Sequence, residues 1–380
     1  MQLTEILSEL ISFKSISPKD GGSLKFLSDL LKKQNFTCTN LNFGNKKNNT
    51  FTTNQFAFLK NGNGPHICFA GHVDVVPPGS LNSWSSNPFK AVIKNGKIYG
   101  RGACDMKGAI AAYIVAIYNF LDVKKNFKGT ISLMTTSDEE GNAEFGTKKI
   151  VEWLKKNKIK IDFCIVGEPT NPKLVGEVAK IGRRGSVNCL LTVKGKQGHV
   201  AYPKNAINPI SDLIKYLNKL QEPLDRGNAN FQPSNLEVTS IDTGNVVDNL
   251  IPEKISAKFN IRFNTNFTSQ CIKKIIRDRL NTVGKNYTIK FNVSGEPFIK
   301  ESKKYKSFLK KSVQEVAGIG LKMDTSGGTS DARFISKLCP VIEFGPVGRT
   351  MHQINENVRI KDLEILSDIY LKFLEKFFSN

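Results

Sequence analysis

The feature that most constrains this chain is a series of histidine and acidic residues that recur about once per strand–helix unit. The series is His72, Asp105, Glu140 and Glu168, with steps of 33, 35 and 28 residues. One strand–helix–strand unit takes about 30 residues. The spacing therefore predicts that each step returns the chain to the same edge of a parallel sheet, where open α/β folds bind ligands.

The apolar segments around this series have the pattern of buried strands and helices. Residues 65–76, 130–137 and 163–169 are short, nearly continuous apolar runs, as in the strands of a parallel sheet. Residues 108–122 form a longer apolar run that predicts a buried helix, and residues 1–40 are predicted to be helical. The alternation of strands and helices predicts an α/β fold with a mainly parallel sheet.

The pattern changes in the second half of the chain. Residues 182–295 contain alternating strands and two amphipathic helices, which predicts a compact α+β unit. After this segment a short apolar strand and long helices resume. We therefore predict a discontinuous first domain, residues 1–181 and 296–380, that carries residues 182–295 as an inserted domain.

Charge and composition limit the class of partner. The net charge of +21 favours anionic partners. The lysines are scattered, however, without a basic stripe interleaved with aromatic residues, so we expect a small anionic substrate rather than nucleic acid. No run approaches the roughly 18 to 20 apolar residues of a membrane span, and the N-terminus lacks the pattern of a signal peptide. We expect a cytoplasmic protein without a membrane partner.

Two residues at the first strand end suggest a metal ligand with its support. Asp74 follows His72 by two residues, on the same side of an extended chain. A metal-binding imidazole usually donates its other N–H to a carboxylate. One such pair is more often an ordinary buried histidine, just as Asp105 alone can be a helix N-cap. Several carboxylates at one sheet edge need a counter-charge, because each unpaired buried carboxylate costs several kcal/mol.

A divalent metal is the counter-charge that this residue set favours. His352 supplies a second imidazole near the end of the chain. Two histidines and three carboxylates, one of them shared, suit two metal ions about 3.5–4 Å apart. The mixture of nitrogen and oxygen ligands suits zinc or cobalt. The seven cysteines lie singly, without a C-x-x-C motif, so a thiolate site is not expected.

Eight motifs together resemble a known group of enzymes. They are HVDVVPPG, GRGACDMKG, TSDEEG, GEPT, GRRGS, GKQGHVAYP, GGTSDARF and MHQINE. The chain resembles the co-catalytic zinc aminoacylase/carboxypeptidase superfamily over residues 65–357, and within it the desuccinylases of diaminopimelate and lysine biosynthesis. The first three motifs are shared across the superfamily, whereas GRRGS, GGTSDARF and MHQINE point to the desuccinylases.

The resemblance implies a fold and a set of catalytic roles. It implies a zinc-peptidase-like catalytic domain with an inserted ferredoxin-like domain through which the chain forms a homodimer. It also implies a cis peptide bond between Asp105 and Met106. The implied roles are His72 and Glu168 on one Zn²⁺ (or Co²⁺), Glu140 and His352 on the other, Asp105 bridging the two ions, Glu139 as general base, and Asp74 orienting His72.

The resemblance further implies a reaction and a substrate. The amide of N-succinyl-LL-2,6-diaminopimelate, a small anionic succinylated amino acid, is attacked by a metal-bridged hydroxide. The products are succinate and LL-2,6-diaminopimelate. His199 of the partner subunit stabilises the oxyanion. The implied substrate contacts are Arg183, Ser186, Tyr202, Asn249, Arg262, Gly328, Thr329 and Ser330. Gly348 stands where some relatives carry asparagine, which puts that one contact in doubt.

Two other functions remain open from the sequence alone. The nearest is another amide hydrolase of the same superfamily, such as an acetylornithine deacetylase or an aminoacylase. The more distant one is a non-catalytic binding protein of the same fold, which the +21 charge prompts. The complete set of metal-ligand types together with Glu139 favours an enzyme.

Overall fold

A computed structural model describes residues 2–45, 47 and 50–379 of the chain. The chain divides into two compact units. The first unit is Met1–Ile181, Lys300–Asp324 and Ser330–Asn380, and the second unit is Gly182–Ile299 with Thr325–Thr329.

The first unit is built on an eight-stranded sheet, with a separate three-stranded sheet. Its strands, numbered in chain order, are β1 (Thr37–Phe43), β2 (Thr52–Asn61), β3 (His66–His72), β4 (Val92–Lys94), β5 (Lys97–Tyr99), β6 (Gly129–Thr136), β7 (Phe163–Val166), β8 (Val178–Lys180), β17 (Lys322–Asp324), β18 (Val341–Glu343) and β19 (Asn357–Arg359). The order in the large sheet is β1-β2-β6-β3-β7-β18-β8-β17. Its central pairs, β6–β3, β3–β7 and β7–β18, are parallel, which confirms the predicted fold class.

Helices cover this sheet and form its core. They are α1 (Leu3–Ser12), α2 (Ser23–Lys32), α3 (Gly108–Val123), α4 (Thr147–Lys156), α7 (Lys303–Ala317), α8 (Ala332–Ile335) and α9 (Ile360–Phe377). An aromatic cluster joins the sheet to α3 and α9: the Tyr113 ring lies 4.4 Å from both the Phe69 and Tyr370 rings. Residues 1–40 were predicted to be helical, but they are not helical throughout, because β1 begins at Thr37 and pairs antiparallel with β2.

Among the described residues, one apolar segment that runs through Asp105 into α3 has the length of a membrane span, contrary to the expectation from the sequence. Ala103–Val123 is long and apolar enough to cross a bilayer by length and composition alone. Most of the segment is buried inside the first unit, where it packs on the sheet. Its apolar surface is thus accounted for by the core.

The second unit has its own sheet and core. Its strands are β9 (Gly182–Arg183), β10 (Gly185–Lys194), β11 (Gly198–His199), β12 (Asn235–Asp242), β13 (Leu250–Ile251), β14 (Lys254–Phe263), β15 (Tyr287–Gly295) and β16 (Phe298–Ile299), and its helices are α5 (Pro209–Leu220) and α6 (Ser269–Val283). The main sheet, β12-β14-β10-β15, is antiparallel. Alternate residues of β10 and β14 point into a core shared with both helices, and the β–α–β–β–α–β order is that of a ferredoxin-like unit.

The second unit is longer than the predicted insert of residues 182–295. β16 pairs with β9 and so extends the unit to Ile299. The short segment Thr325–Thr329 belongs to it as well, because Thr325 Oγ1 donates to the Asn230 carbonyl at 2.6 Å. Both additions depend on contacts between residues far apart in the chain.

Candidate functional site

The C-terminal edge of the parallel sheet carries the predicted ligands. His72 is the last residue of β3 and pairs in register with Thr136, the last residue of β6. The acidic segment that contains Glu139 and Glu140 follows β6, and Glu168 follows β7 two residues after Val166. Because β6, β3 and β7 run parallel, these segments leave the sheet at the same edge, as the spacing predicted.

Asp105 lies between two histidines. Its Oδ1 is 3.2 Å from Nε2 of His72, and its Oδ2 is 3.3 Å from Nε2 of His352. The residue sits in an irregular turn just before α3, and the Asp105–Met106 peptide bond is cis, which confirms that prediction. A carboxylate that turns one oxygen toward each of two imidazoles has the arrangement of a bridging ligand.

The other carboxylates complete two groups of ligand atoms. Nε2 of His72 lies 3.8 Å from Oε1 of Glu168, and Nε2 of His352 lies 2.8 Å from Oε1 of Glu140. Within the described part of the chain, two sets have ligand atoms that all lie within 4.8 Å of one another, close enough to hold a metal ion: His72 with Asp105 and Glu140, and His72 with Glu139 and Glu168. Glu139 therefore also lies within ligand distance of His72 and Glu168.

The first histidine is held in one tautomer by a backbone acceptor. Nδ1 of His72 donates to the carbonyl oxygen of Asp74 at 2.9 Å, which places an N–H on Nδ1 and turns Nε2 toward Asp105 and Glu168. The Asp74 carboxylate is farther away, with Oδ1 3.7 Å from Nδ1. The contact between Asp74 and this ring at hydrogen-bonding distance is therefore made by the main chain of Asp74 and not by the carboxylate of the prediction.

The Asp74 carboxylate instead holds the acidic segment. Its Oδ2 accepts the backbone N–H of Glu139 at 3.1 Å and of Glu140 at 3.0 Å. Asp138, the first acid of the same segment, accepts the N–H groups of Ala143, Glu144 and Phe145. Two buried carboxylates, Asp74 and Asp138, thus fix the turn that presents Glu139 and Glu140.

The charges of the site favour bound cations. Burial opposes protonation of His72, but the hydrogen bond to Asp105 and the charge of Glu168 outweigh it and raise the pKa of His72 well above its usual value. Hydrogen bonds to Asp105 and Glu140 raise the pKa of His352 to about 10. The carboxylates of the site thus favour positive charge beside them. Divalent ions would supply that charge at the same oxygen and nitrogen atoms, so the residues fit a metal site.

Glu139 has the electrostatic surroundings of a proton acceptor. Burial and the nearby charge of Glu168 raise the pKa of Glu139 well above its usual value, against an opposing effect of His72. A carboxylate whose pKa is raised toward neutrality can both take up and release a proton near physiological pH. Glu140, by contrast, is already engaged by His352.

The predicted substrate contacts fall in both units. Arg183 donates to the Ser326 carbonyl at 2.7 Å, and Arg262 donates to Thr329 Oγ1 at 3.2 Å, so the second unit brings both arginines to the segment that also contains Gly328. Ser186 pairs in register with Arg262. The exposed residues His199, Tyr202 and Asn249 lie on or beside β11 and β13. Ser330 belongs to the first unit, where its Oγ donates to Glu343 at 2.5 Å.

The model of Peptidase family M20/M25/M40 matches residues 68–376, which include both histidines and every carboxylate of the site. The chain belongs to this family.

Several curated relatives of this M20/M25/M40 chain are named succinyl-diaminopimelate desuccinylase. A succinyl-diaminopimelate desuccinylase of Wolbachia pipientis is 46% identical over 98% of this chain and 93% of its own length. Proteins of the same name from Pelagibacter ubique and Ehrlichia chaffeensis are each 47% identical over 98% of this chain, and over 98% and 97% of their own lengths. The match thus extends over both units.

Solved structures have the same fold at lower identity. The M20 family metallo-carboxypeptidase Sso-CP2 of Sulfolobus solfataricus superposes with a TM-score of 0.80 at 19% identity, over 99% of each chain. Aminopeptidase PepT of Bacillus cereus gives a TM-score of 0.79 at 18% identity, over 99% of this chain and 98% of its own. At these identities the likeness shows the fold of the M20/M25/M40 chain and nothing further.

One buried residue of the site region was missed by the sequence reasoning. Glu356 is the last letter of the MHQINE motif, four residues after His352, and it is fully buried. An acid in a segment that carries a predicted ligand was the signal that could have singled it out.

Proposed function

We propose that this chain hydrolyses the amide of N-succinyl-LL-2,6-diaminopimelate to succinate and LL-2,6-diaminopimelate. The observation that carries the reaction class is Asp105, with one carboxylate oxygen toward His72 and the other toward His352. The observation that carries the substrate is the identity of 44–47% with proteins named as desuccinylases. Together they favour this reaction over deacetylation of other amino acids.

We propose that two divalent ions occupy the site, Zn²⁺ or, at one or both positions, Co²⁺. His72 and Glu168 would hold one ion, Glu140 and His352 the other, and Asp105 both. The mixed nitrogen and oxygen donors and the raised pKa values of both imidazoles support this assignment. When bound, such ions polarise an amide carbonyl and lower the pKa of a water molecule.

In the proposed reaction Glu139 takes a proton from the attacking water and passes it to the leaving amine. General acid–base catalysis of this kind contributes about 10²- to 10⁴-fold to a rate. Asp74 supports the step, because its carboxylate holds the backbone N–H of Glu139. Rotation of the Glu139 segment away from the site would leave the proton without an acceptor.

The second unit is proposed to bind substrate and to form a homodimer. Arg183 and Arg262 can each bind a carboxylate through two N–H groups, and the substrate carries carboxylates at both ends. Ser186, Tyr202, Asn249, Gly328, Thr329 and Ser330 are proposed as further contacts. His199 of the partner subunit is proposed to donate to the oxyanion. We expect the enzyme to be cytoplasmic, without nucleic-acid or membrane partners.

The test combines metal analysis with a substrate assay on Glu139→Gln. We expect the variant to keep its Zn²⁺ and to lose hydrolysis by about 10²- to 10⁴-fold. Glu144→Gln is the matched control, since Glu144 is an exposed glutamate of the same turn. Loss of metal in Glu139→Gln would make Glu139 a ligand. Turnover of N-acetylornithine alone by the wild type would overturn the substrate assignment.

A further inference from the structure

Glu356 accepts four hydrogen bonds with the two oxygens of one carboxylate. Oε1 accepts the backbone N–H groups of Cys104 at 3.0 Å and Asp105 at 3.1 Å. Oε2 accepts the backbone N–H of Gly102 at 3.1 Å and the Arg101 guanidinium at 2.7 Å. The side chain is fully buried, so it takes no part in binding solvent or a substrate. It holds the turn from which Asp105 projects.

Arg101 ties the same turn to the segment that carries the second histidine. The Nη1 atom that donates to Glu356 also donates to the Gln353 carbonyl at 3.1 Å, one residue after His352. The guanidinium lies 5.1 Å from the centre of the Trp84 ring, which packs over it. A planar guanidinium that binds two acceptors is pre-organised, so it resists relative movement of the two segments.

The segment around His352 needs such support. His352 has a backbone φ of +61° and Asn355 a φ of +59°, the left-handed region that non-glycine residues avoid. The loop is closed at its base by Thr350 Oγ1, which donates to the Asn357 carbonyl and accepts the Asn357 N–H. Glu356 adds the bonds that join this loop to the Asp105 turn.

We propose that Glu356 is a positioning residue that, with Arg101, fixes Asp105 relative to His352 and so sets the affinity of the site for metal. The inference rests on the proposed function for the presence of metal at these residues. Independently of that function, the buried Glu356 carboxylate sets the distance of 3.3 Å between Asp105 Oδ2 and His352 Nε2 without touching either atom. A hydrogen-bonded residue behind the ligands typically contributes about 10- to 100-fold to metal affinity.

The alternative is that Glu356 only caps a loop. Asp225 in the second unit offers the matched comparison. Its carboxylate accepts the backbone N–H groups of Gly227 and Ser234 and the Asn264 side-chain amide, and none of these residues is a proposed metal ligand. Replacing either acid by its amide removes one negative charge and one acceptor atom while the side-chain shape is kept.

The experiment compares Glu356→Gln with Asp225→Asn in the full-length protein. Zn²⁺ dissociation constants are measured by competition with a chelator on metal-stripped protein, alongside the thermal unfolding temperature, kcat and KM. We expect Glu356→Gln to weaken Zn²⁺ binding by about 10- to 100-fold and to lower kcat more than it changes KM. Asp225→Asn should lower the unfolding temperature and leave Zn²⁺ binding as in the wild type.

Other outcomes are equally decisive. Wild-type Zn²⁺ affinity in a destabilised Glu356→Gln variant overturns the inference. If that variant does not fold, Arg101→Lys replaces it: weakened Zn²⁺ binding supports the inference, and unchanged binding contradicts it. A wild type that binds two Zn²⁺ without cleaving the succinylated substrate overturns the proposed function and leaves the inference standing. A wild type that binds no Zn²⁺ overturns the inference.

Discussion

The two ends of strand β3 each carry a histidine that is at least nine-tenths buried, and their surroundings are opposite. At the start of the strand, Nδ1 of His66 donates to the Lys160 carbonyl at 2.7 Å, and Nε2 accepts from the Ser132 hydroxyl at 2.7 Å. Both partners are neutral. At the end of the strand, Nε2 of His72 faces the carboxylates of Asp105 and Glu168.

The pKa values follow the partners rather than the burial. Burial lowers the pKa of His66 from its ordinary value of 6.5, because its hydrogen bonds do not compensate for the loss of water. Burial acts in the same direction on His72, yet the hydrogen bond to Asp105 and the neighbouring charges raise the pKa of His72. The comparison teaches that a buried histidine marks a functional site when several carboxylates converge on its ring, as they do here at the edge where open α/β sheets bind ligands.

The sharpest way to break the comparison is to remove each imidazole in turn. We expect His72→Asn to lose bound metal and to lower the rate of hydrolysis by more than roughly 100-fold. Loss of a residue that only supports a ligand through a hydrogen bond costs up to about 100-fold, and His72 is itself a proposed ligand. We expect His66→Asn to keep its metal and its activity and to lose about 1–3 kcal/mol of unfolding free energy, because Ser132 and Lys160 lose a buried partner.

Metal analysis, the hydrolysis assay and chemical denaturation measure these three quantities on the same preparations. Each variant serves as the control for the other, since the two changes are identical and lie on one strand. Equal loss of metal in both variants would contradict the division between a catalytic and a structural end of β3.

A second prediction concerns Asp74, whose main-chain carbonyl binds His72 and whose carboxylate holds the acidic segment. Asp74→Asn keeps the main-chain carbonyl that binds His72 and replaces one of the two carboxylate oxygens by an NH₂ donor. In the wild type Oδ2 accepts the backbone N–H groups of Glu139 and Glu140, and Oδ1 lies 3.3 Å from the Glu139 nitrogen. The substitution leaves these N–H groups one acceptor oxygen in place of two. We expect kcat to fall by about 10- to 100-fold while most of the metal remains bound.

Steady-state kinetics with metal analysis checks this prediction. Asp20→Asn is the control, because the Asp20 carboxylate accepts the Gly22 N–H at 3.1 Å before α2 and contacts no proposed ligand. If Asp74→Asn instead lost its metal with the Glu139 segment intact, His72 would be the residue that the carboxylate supports.

The convergence of ligands was predictable because it depends on local pattern. Each apolar run has the length of a strand and ends at or shortly before His72, Glu140 or Glu168. Neighbouring parallel strands end at a common edge of the sheet, so these three residues lie close together. The same reasoning predicted the mainly parallel sheet. The assignment of Glu139 as general base and Glu140 as metal ligand came from resemblance to a family. Two neighbouring residues in a turn show no sequence periodicity that would distinguish their roles.

The features that were missed depend on contacts between distant residues. β1 was predicted to lie partly in a helix, and its strand conformation comes from pairing with β2 along Thr37–Phe43. The carboxylate of Asp74 and the side chain of Glu356 each accept backbone N–H groups from turns far away in sequence. A backbone N–H has no letter in the sequence, so such partners appear only in the folded chain.

The smallest expected effect is a pH dependence of stability that belongs to His66 alone. The folded state disfavours the protonated imidazole, so its pKa there is below the ordinary 6.5. Below pH 6.5 the unfolded chain binds the proton first. The stability contributed by neutral His66 is therefore complete above that pH and declines as the pH falls toward the lowered folded value. Each pKa unit between the two states corresponds to about 1.4 kcal/mol.

His66→Gln removes this titration while its side chain can still hydrogen-bond. The free energy of unfolding of the wild type minus that of the variant should therefore become smaller as the pH is lowered from about 7.5 to about 5.5. Denaturation at several pH values measures it. The subtraction cancels the site at the other end of β3, because its carboxylates, histidines and bound metal titrate in both proteins. A difference that stays constant or grows as the pH falls would mean that His66 accepts a proton in the folded state. The two ends of the strand would then be electrostatically alike, and the carboxylates around His72 would no longer explain why one histidine binds metal and the other does not.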